Sequence, residues 1–193
     1  MGEPSALGLS RLWHDLLHRR ERFRQALGIA FVIVVAAAAS TTQTLLLVSL
    51  PLVLAGILIR LWASGHVKKD KELATDSPDS LARHPLYVGN ILIGFGFCIA
   101  SGRWWSFPVF VLFLLLFYPP AIRQEDRKLH RLFPEAWEPW AAEVRALIPR
   151  VKPYREGASG GSWSFSQSLR QNGEPIIALI LIGLLWLAWF VSQ

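Results

Sequence analysis

Apolar residues in this chain gather into long runs, and the charged residues collect in the breaks between them. Runs over about 23–39, 44–62, 85–100, 107–122 and 175–191 each approach the length at which an α-helix crosses a bilayer. The first two are joined by the uncharged turn Ser40-Thr41-Thr42-Gln43, which predicts a tight hairpin over 25–62. The alanines at 36–39 offer a small-residue face for close helix packing. Pro51, inside the second run, predicts a kink that membrane helices tolerate. Gly89, Gly94 and Gly96 line the third run, where either helix packing or close approach of a ligand accounts for them. Trp104 and Trp105 mark the next interface.

Pro119-Pro120 predict that the fourth run bends or breaks at its end. The chain then turns amphipathic and charged through Arg123, Glu125, Asp126, Arg127, Lys128, His130 and Arg131, a segment expected to leave the membrane and fold back. Another helix is predicted over 134–146, opened by Pro134 and closed by Pro149. A Gly/Ser-rich linker begins at 156, and a last span with Trp186 and Trp189 near its far end follows. The expected fold is all-α: a polytopic bundle of about five membrane helices with a cytoplasmic helical segment, its core over 63–155 and an accessory anchor over 156–193.

Residues 1–24 differ in pattern. Leu9, Leu12, Trp13, Leu16 and Leu17 recur at helical spacing, with five arginines on other faces, which predicts an amphipathic helix on an anionic membrane surface. The charged lead is too long for a signal peptide. His14 and His18 stand one helical turn apart but lack a third ligand, so no metal site is expected.

Composition supports this picture. Of 193 residues, 52% are hydrophobic, high for a soluble domain. The single cysteine, Cys98, excludes an intrachain disulfide and reads as a small core residue. A net charge of +6 raises nucleic-acid binding, but the basic residues flank the apolar runs and no groove-reading motif is present. With five spans, all of the 20 Lys and Arg residues except Arg103 fall on one side. That asymmetry places the N-terminus in the cytoplasm and the C-terminus opposite.

The most specific stretch is Arg83-His84-Pro85-Leu86-Tyr87-Val88-Gly89-Asn90. Pro85 predicts a helix start there, whose free N–H groups and positive dipole end make an anion site. The arrangement Arg-His-Pro-x-Tyr-x-Gly resembles the opening of the cofactor-binding half of the integral-membrane methyltransferases, the isoprenylcysteine carboxyl and phospholipid methyltransferases. The run from Arg60 to His66 looks like their lead-in, and Glu125-Asp126 like their acidic pair. Leu129, Phe133, Trp137, Trp140, Val144 and Pro149 continue the similarity, which covers about residues 60–150.

The resemblance implies transfer of a methyl group from S-adenosylmethionine to a lipid-like or prenylated acceptor arriving from the bilayer. Arg83, His84, Tyr87, Gly89, Asn90, Glu125, Asp126 and Phe133 would then hold the cofactor, with Trp137 and Leu147 as further candidates for the adenine slot. His130, or Glu125, would serve as base for an amine acceptor. The basic residue that follows the second aromatic in the prenylcysteine enzymes is replaced here by Ala141, Ala142 and Glu143, leaving Arg145 to meet an acceptor carboxylate. Plainer readings stand beside these: Glu125-Asp126 as a solvated cap near Arg127 and Lys128, His84 as a structural cap, Trp137 and Trp140 as packing. Alternatives of a different class are an NADPH-dependent membrane reductase of the sterol type and a non-enzymatic membrane adaptor. A homo-oligomer formed through the C-terminal helix is a further expectation.

Overall fold

The computed structural model describes residues 23–66, 73, 75, 77–154 and 163–193, and these are helical or irregular, with no strand among them. The amphipathic segment over 1–22, with His14 and His18, the lysines at 68, 69 and 71 and the Gly/Ser run at 157–162 lie outside the described residues. The all-α expectation holds.

Helix α1 spans Phe23–Ala37 and α2 spans Gln43–Ser64. Thr42 caps α2, its hydroxyl accepting from the Leu45 N–H at 3.3 Å. Pro51 is accommodated inside α2. A short 3₁₀ turn, Ser77–Ser80, precedes α3, Pro85–Ser101, which starts at Pro85 as the sequence predicts. Gly102 ends α3 at φ 64°, and a Cβ there would lie 2.4 Å from the Ser40 carbonyl oxygen. Glycine therefore meets both a left-handed backbone and a close approach to the α1–α2 turn.

Helix α4 corrects an expectation. It runs unbroken from Ser106 to Leu132, through Pro119 and Pro120. Two prolines remove two N–H donors from a helix of 27 residues, and the aromatic contacts of Tyr118 with Tyr87 and Phe113 hold the turn in place. Tertiary packing thus outweighs local propensity, and the charged residues 123–131 extend the same rod. Helix α5, Pro134–Glu143, is shorter than predicted, because Val144 is extended and buried before Pro149 is reached. Phe165–Gln167 forms α6 and runs into a π turn, Ser168–Asn172. The last helix, α7, spans Glu174–Phe190.

Two helices, α2 and α4, are long and apolar enough to cross a membrane; α1, α3 and α7 are shorter apolar helices. The expectation of five full spans is corrected to that extent.

The core joins α1, α2, α3 and α7 through Val35, Val53, Ile57, Ile93, Phe97, Leu181 and Leu185. Its tightest seam lies between α2 and α3. A Cβ on Gly56 would sit 2.6 Å from the Gly89 carbonyl oxygen, and one on Gly96 would sit 2.4 Å from Val53 Cγ2. These glycines let the two backbones touch. Gly56→Leu is therefore expected to cost about 1–3 kcal/mol by overpacking, read as a lower unfolding midpoint in detergent. Gly183→Leu is the control, a glycine with open space around its Cβ.

Candidate functional site

The loop before α3 is fixed by the segment after α5, a pairing that apolar periodicity does not reveal. Arg83 N–H donates to the Arg145 carbonyl and His84 N–H to the Ala146 carbonyl, both at 3.0 Å. Arg150 N–H reaches the Leu81 carbonyl at 2.8 Å. Beneath this crossing the indole of Trp140, 1% exposed, donates to the Asp79 carbonyl at 3.1 Å. Trp140 is thus a packing residue that also satisfies a loop carbonyl.

This scaffold brings Arg83 and His84 against the charged extension of α4. His84 Nε2 lies 3.1 Å from Asp126 Oδ1, and Arg83 Nη2 lies 3.3 Å from Asp126 Oδ2. Glu125 Oε2 is 3.6 Å from His84 Nδ1 and half exposed. Two clusters separated by some forty positions in the sequence therefore meet at one place. Just before α3, the anion that faces the Arg83 and His84 side chains is the Asp126 carboxylate of the chain itself. Arg83 also lies over the Trp137 ring, 5.7 Å from its centroid.

Tyr87 continues the cluster inward. Its ring is 5.5 Å from His84 and 5.1 Å from Tyr118, and the Arg24 guanidinium lies 5.2 Å from its centroid. Asn90 Oδ1 accepts from Arg60 Nη1, and Arg60 also donates to Glu174 Oε2 at 2.9 Å. Sequence reasoning did not place Arg24, Arg60 and Glu174 together; the signal open to it was the isolated charge each carries at the edge of an apolar run.

These residues border a cavity of about 830 Å³. Its lining includes the polar side chains of Arg24, Arg60, Asn90, His84, Glu125 and Lys128 and the apolar residues Phe31, Val32, Ile93, Phe110 and Phe113. Leu129 lines it from α4, Phe133 from the junction between α4 and α5, and Ile177, Leu181 and Leu184 from α7. The volume falls within the range of small-molecule sites, roughly 300–1,000 Å³, and the mixture of apolar wall and convergent charge suits an amphipathic ligand.

Of the predicted site residues, His84, Tyr87, Asn90, Glu125 and Phe133 border the cavity, with Arg83 and Asp126 directly behind His84. Gly89 does not face it openly: a Cβ there would meet Arg60 Cγ at 2.6 Å and the Gly56 carbonyl oxygen at 2.8 Å, so its role is contact with α2. His130 and Arg145 lie outside the lining. His130 pairs with Glu138 at 3.2 Å and lies tilted against the Trp137 ring at 4.8 Å, while Arg145 is exposed and contributes its carbonyl to Arg83. Cys98 is buried, as expected. Among the described residues, no group of three or more His, Cys, Asp or Glu side chains is arranged to hold a metal ion.

Comparison with known proteins points away from the methyltransferases. Over 98 residues the chain is 40% identical to the cobalt-zinc-cadmium resistance protein CzcN of Cupriavidus metallidurans, covering 50% of this chain and 45% of that protein. Over 100 residues it is 37% identical to the nickel-cobalt-cadmium resistance protein NccN of Alcaligenes xylosoxydans xylosoxydans, covering 50% of this chain and 46% of that one. The aligned part thus spans less than half the length of these relatives. No family model matches the chain, and no solved structure matches it.

The methyltransferase assignment is corrected on these findings, and the reductase alternative with it: both relatives are named for metal resistance. The structure supplies a physical reason for the misleading motif. Pro85 opens a helix, His84 and Arg83 bind Asp126, and Gly89 admits Arg60, so these four motif residues have structural tasks. His130 and Arg145 accordingly carry no catalytic assignment.

Proposed function

We propose that this chain is a membrane-embedded component of cellular tolerance to divalent transition-metal cations, the cobalt, nickel, zinc and cadmium for which its relatives are named. The observation that carries this reading is the 40% identity to a resistance protein over half of the chain. We place all five apolar helices in or against the membrane, with the Arg83–Asp126 cluster on the basic, cytoplasmic side. Growth of cells with and without the chain, in graded concentrations of each metal, tests the reading: tolerance falls when the chain is absent.

The working part is the 830 Å³ cavity, which takes an amphipathic molecule of small-molecule size. S-adenosylmethionine is a ligand of fitting chemistry. The cations in the lining suit its carboxylate, Glu125 suits its amino group or sulfonium, and Phe133 suits its adenine. Lipid from the surrounding bilayer is the second ligand class, favoured by the aliphatic and aromatic part of the lining. Calorimetry of purified protein against S-adenosylmethionine gives saturable heat if the nucleoside binds. Lost heat in Glu125→Ala, with heat retained in Arg131→Ala, places the site at this cavity.

A further inference from the structure

The segment that follows α5 is irregular, yet its backbone is held in place. The Arg145 and Ala146 carbonyls accept from the Arg83 and His84 amides at 3.0 Å. Arg150 N–H donates to the Leu81 carbonyl at 2.8 Å, and Tyr154 N–H to the Ser80 carbonyl at 3.2 Å. Pro149 and Pro153 fix two further φ angles among these bonds. Val144 turns into the interior, whereas Arg145, Ile148, Val151 and Lys152 are exposed. Val151 is 99% exposed, more than any other large hydrophobic residue among those described, and Ile148 is 60% exposed. A fixed loop that holds two aliphatic side chains out of the protein has no internal use for them.

The depth of this loop follows from α4. The last apolar residue of that helix before its charged extension is Ile122, and Asp126, which meets Arg83 and His84, stands four positions beyond it. At roughly 1.5 Å per residue the step is about 6 Å. The polar layer on each side of the hydrocarbon core is about 5–7 Å thick. With the helices placed in the membrane, the crossing of the 80–84 and 145–154 segments therefore lies at headgroup level. The charges beside the two aliphatic side chains fit that surroundings. Arg150 is paired with Glu143 at 3.2 Å, whereas among the described residues no carboxylate pairs with Arg145 or Lys152. Exposed cations beside exposed aliphatic groups match an anionic leaflet, which takes the first at its headgroups and the second at its acyl boundary.

We propose that the loop over 145–153 is a surface anchor. It inserts Ile148 and Val151 into the cytoplasmic leaflet and sets Arg145 and Lys152 on anionic lipid headgroups. This anchor presupposes the membrane placement of the helices given above. It also bears on the polar cluster, because the same loop supplies the carbonyls that hold the Arg83 and His84 amides.

The test places an environment-sensitive fluorophore on the full chain in lipid nanodiscs. Val151→Cys carries it in a Cys98→Ala background, and Leu115→Cys, at an exposed apolar position of α4, carries it in a second sample. Nanodiscs are made of phosphatidylcholine with or without phosphatidylglycerol. Brominated acyl chains quench a probe in the bilayer, and acrylamide quenches one in water. In the anionic nanodiscs both probes are expected to be quenched by brominated lipid and shielded from acrylamide. Arg145→Gln with Lys152→Gln is expected to lower the docked-to-free ratio of the Val151 probe by roughly fivefold for each cation removed, read as a gain in acrylamide quenching. Omitting phosphatidylglycerol is expected to act in the same direction, and neither change should move the Leu115 probe. A Val151 probe that acrylamide quenches as freely as the dye in buffer, beside a Leu115 probe quenched by brominated lipid, ends the anchor and leaves the membrane placement standing. A Val151 probe shielded from acrylamide but untouched by brominated lipid is covered by protein, this chain or a second copy, and also overturns the anchor. A docked loop indifferent to both charge changes overturns the headgroup contact. A Leu115 probe untouched by brominated lipid ends the membrane placement and the anchor with it.

Discussion

Trp140→Ala is expected to destabilise the protein by about 3–5 kcal/mol, the range for loss of a large aromatic from a packed interior. Trp140 is 1% exposed and is the largest fully buried side chain among the described residues. Its removal costs twice over. The space beneath the loop before α3 becomes a cavity, and the Asp79 carbonyl loses its indole donor. Because that loop carries Arg83 and His84, the damage spreads to the polar cluster. Chemical or thermal unfolding in detergent reads the loss, and Trp140→Phe, which keeps most of the volume without the N–H, is expected to fall between the parent and the alanine variant. Equal stability of all three would show that the crossing of the two loops is held elsewhere.

Asp126→Asn is expected to have the second large effect, on the cluster more than on the whole fold. The carboxylate meets both Arg83 and His84, at 3.3 and 3.1 Å, with each of the three side chains less than a fifth exposed. Neutralising it leaves the Arg83 guanidinium without its counter-charge in a largely desolvated place. The loss is about 2 kcal/mol, below that of a fully enclosed pair because some water reaches Asp126. Hydrogen exchange reads this locally: the amides of Arg83 and His84, now bonded to the 145–146 carbonyls, are expected to exchange faster, while those of α2 keep their protection. Unchanged exchange at both amides would contradict the role given to Asp126.

Much of the fold was legible because apolar runs report helices directly. The start of α3 at Pro85 and of α5 at Pro134, and the turn at 40–42, follow from local chemistry that neighbours leave intact. The failures occur where distant contacts decide. Pro119 and Pro120 spoke for a bend or a break; the break does not occur, and α4 continues to Leu132 with Tyr118 packed on Tyr87. Helix α5 stops at Glu143 because Val144 is drawn into the interior and the following residues pair with the loop at 81–84, neither of which is a feature of local sequence.

The site was legible in part. That His84 shares a site with Glu125 and Asp126 is what the family resemblance implies, and the structure sets these side chains 3.6 and 3.1 Å from it. What the site serves did not follow. A short motif whose members open a helix, pair with an aspartate and admit a neighbouring arginine has structural reasons enough, and the relatives are named for metal resistance. Arg60, Asn90 and Glu174 escaped notice because three helices distant in sequence contribute one residue each, and no spacing rule links them.

The most direct measurement is a growth series in cells lacking the chain, complemented with the parent, with Asp126→Asn or with Arg131→Ala, across graded cadmium, zinc, cobalt and nickel. The parent and Arg131→Ala are expected to raise the inhibitory concentration of at least one metal, and Asp126→Asn, present at equal level, is expected to fail to do so. Growth curves that coincide with and without the parent chain for all four metals would contradict the role in metal tolerance.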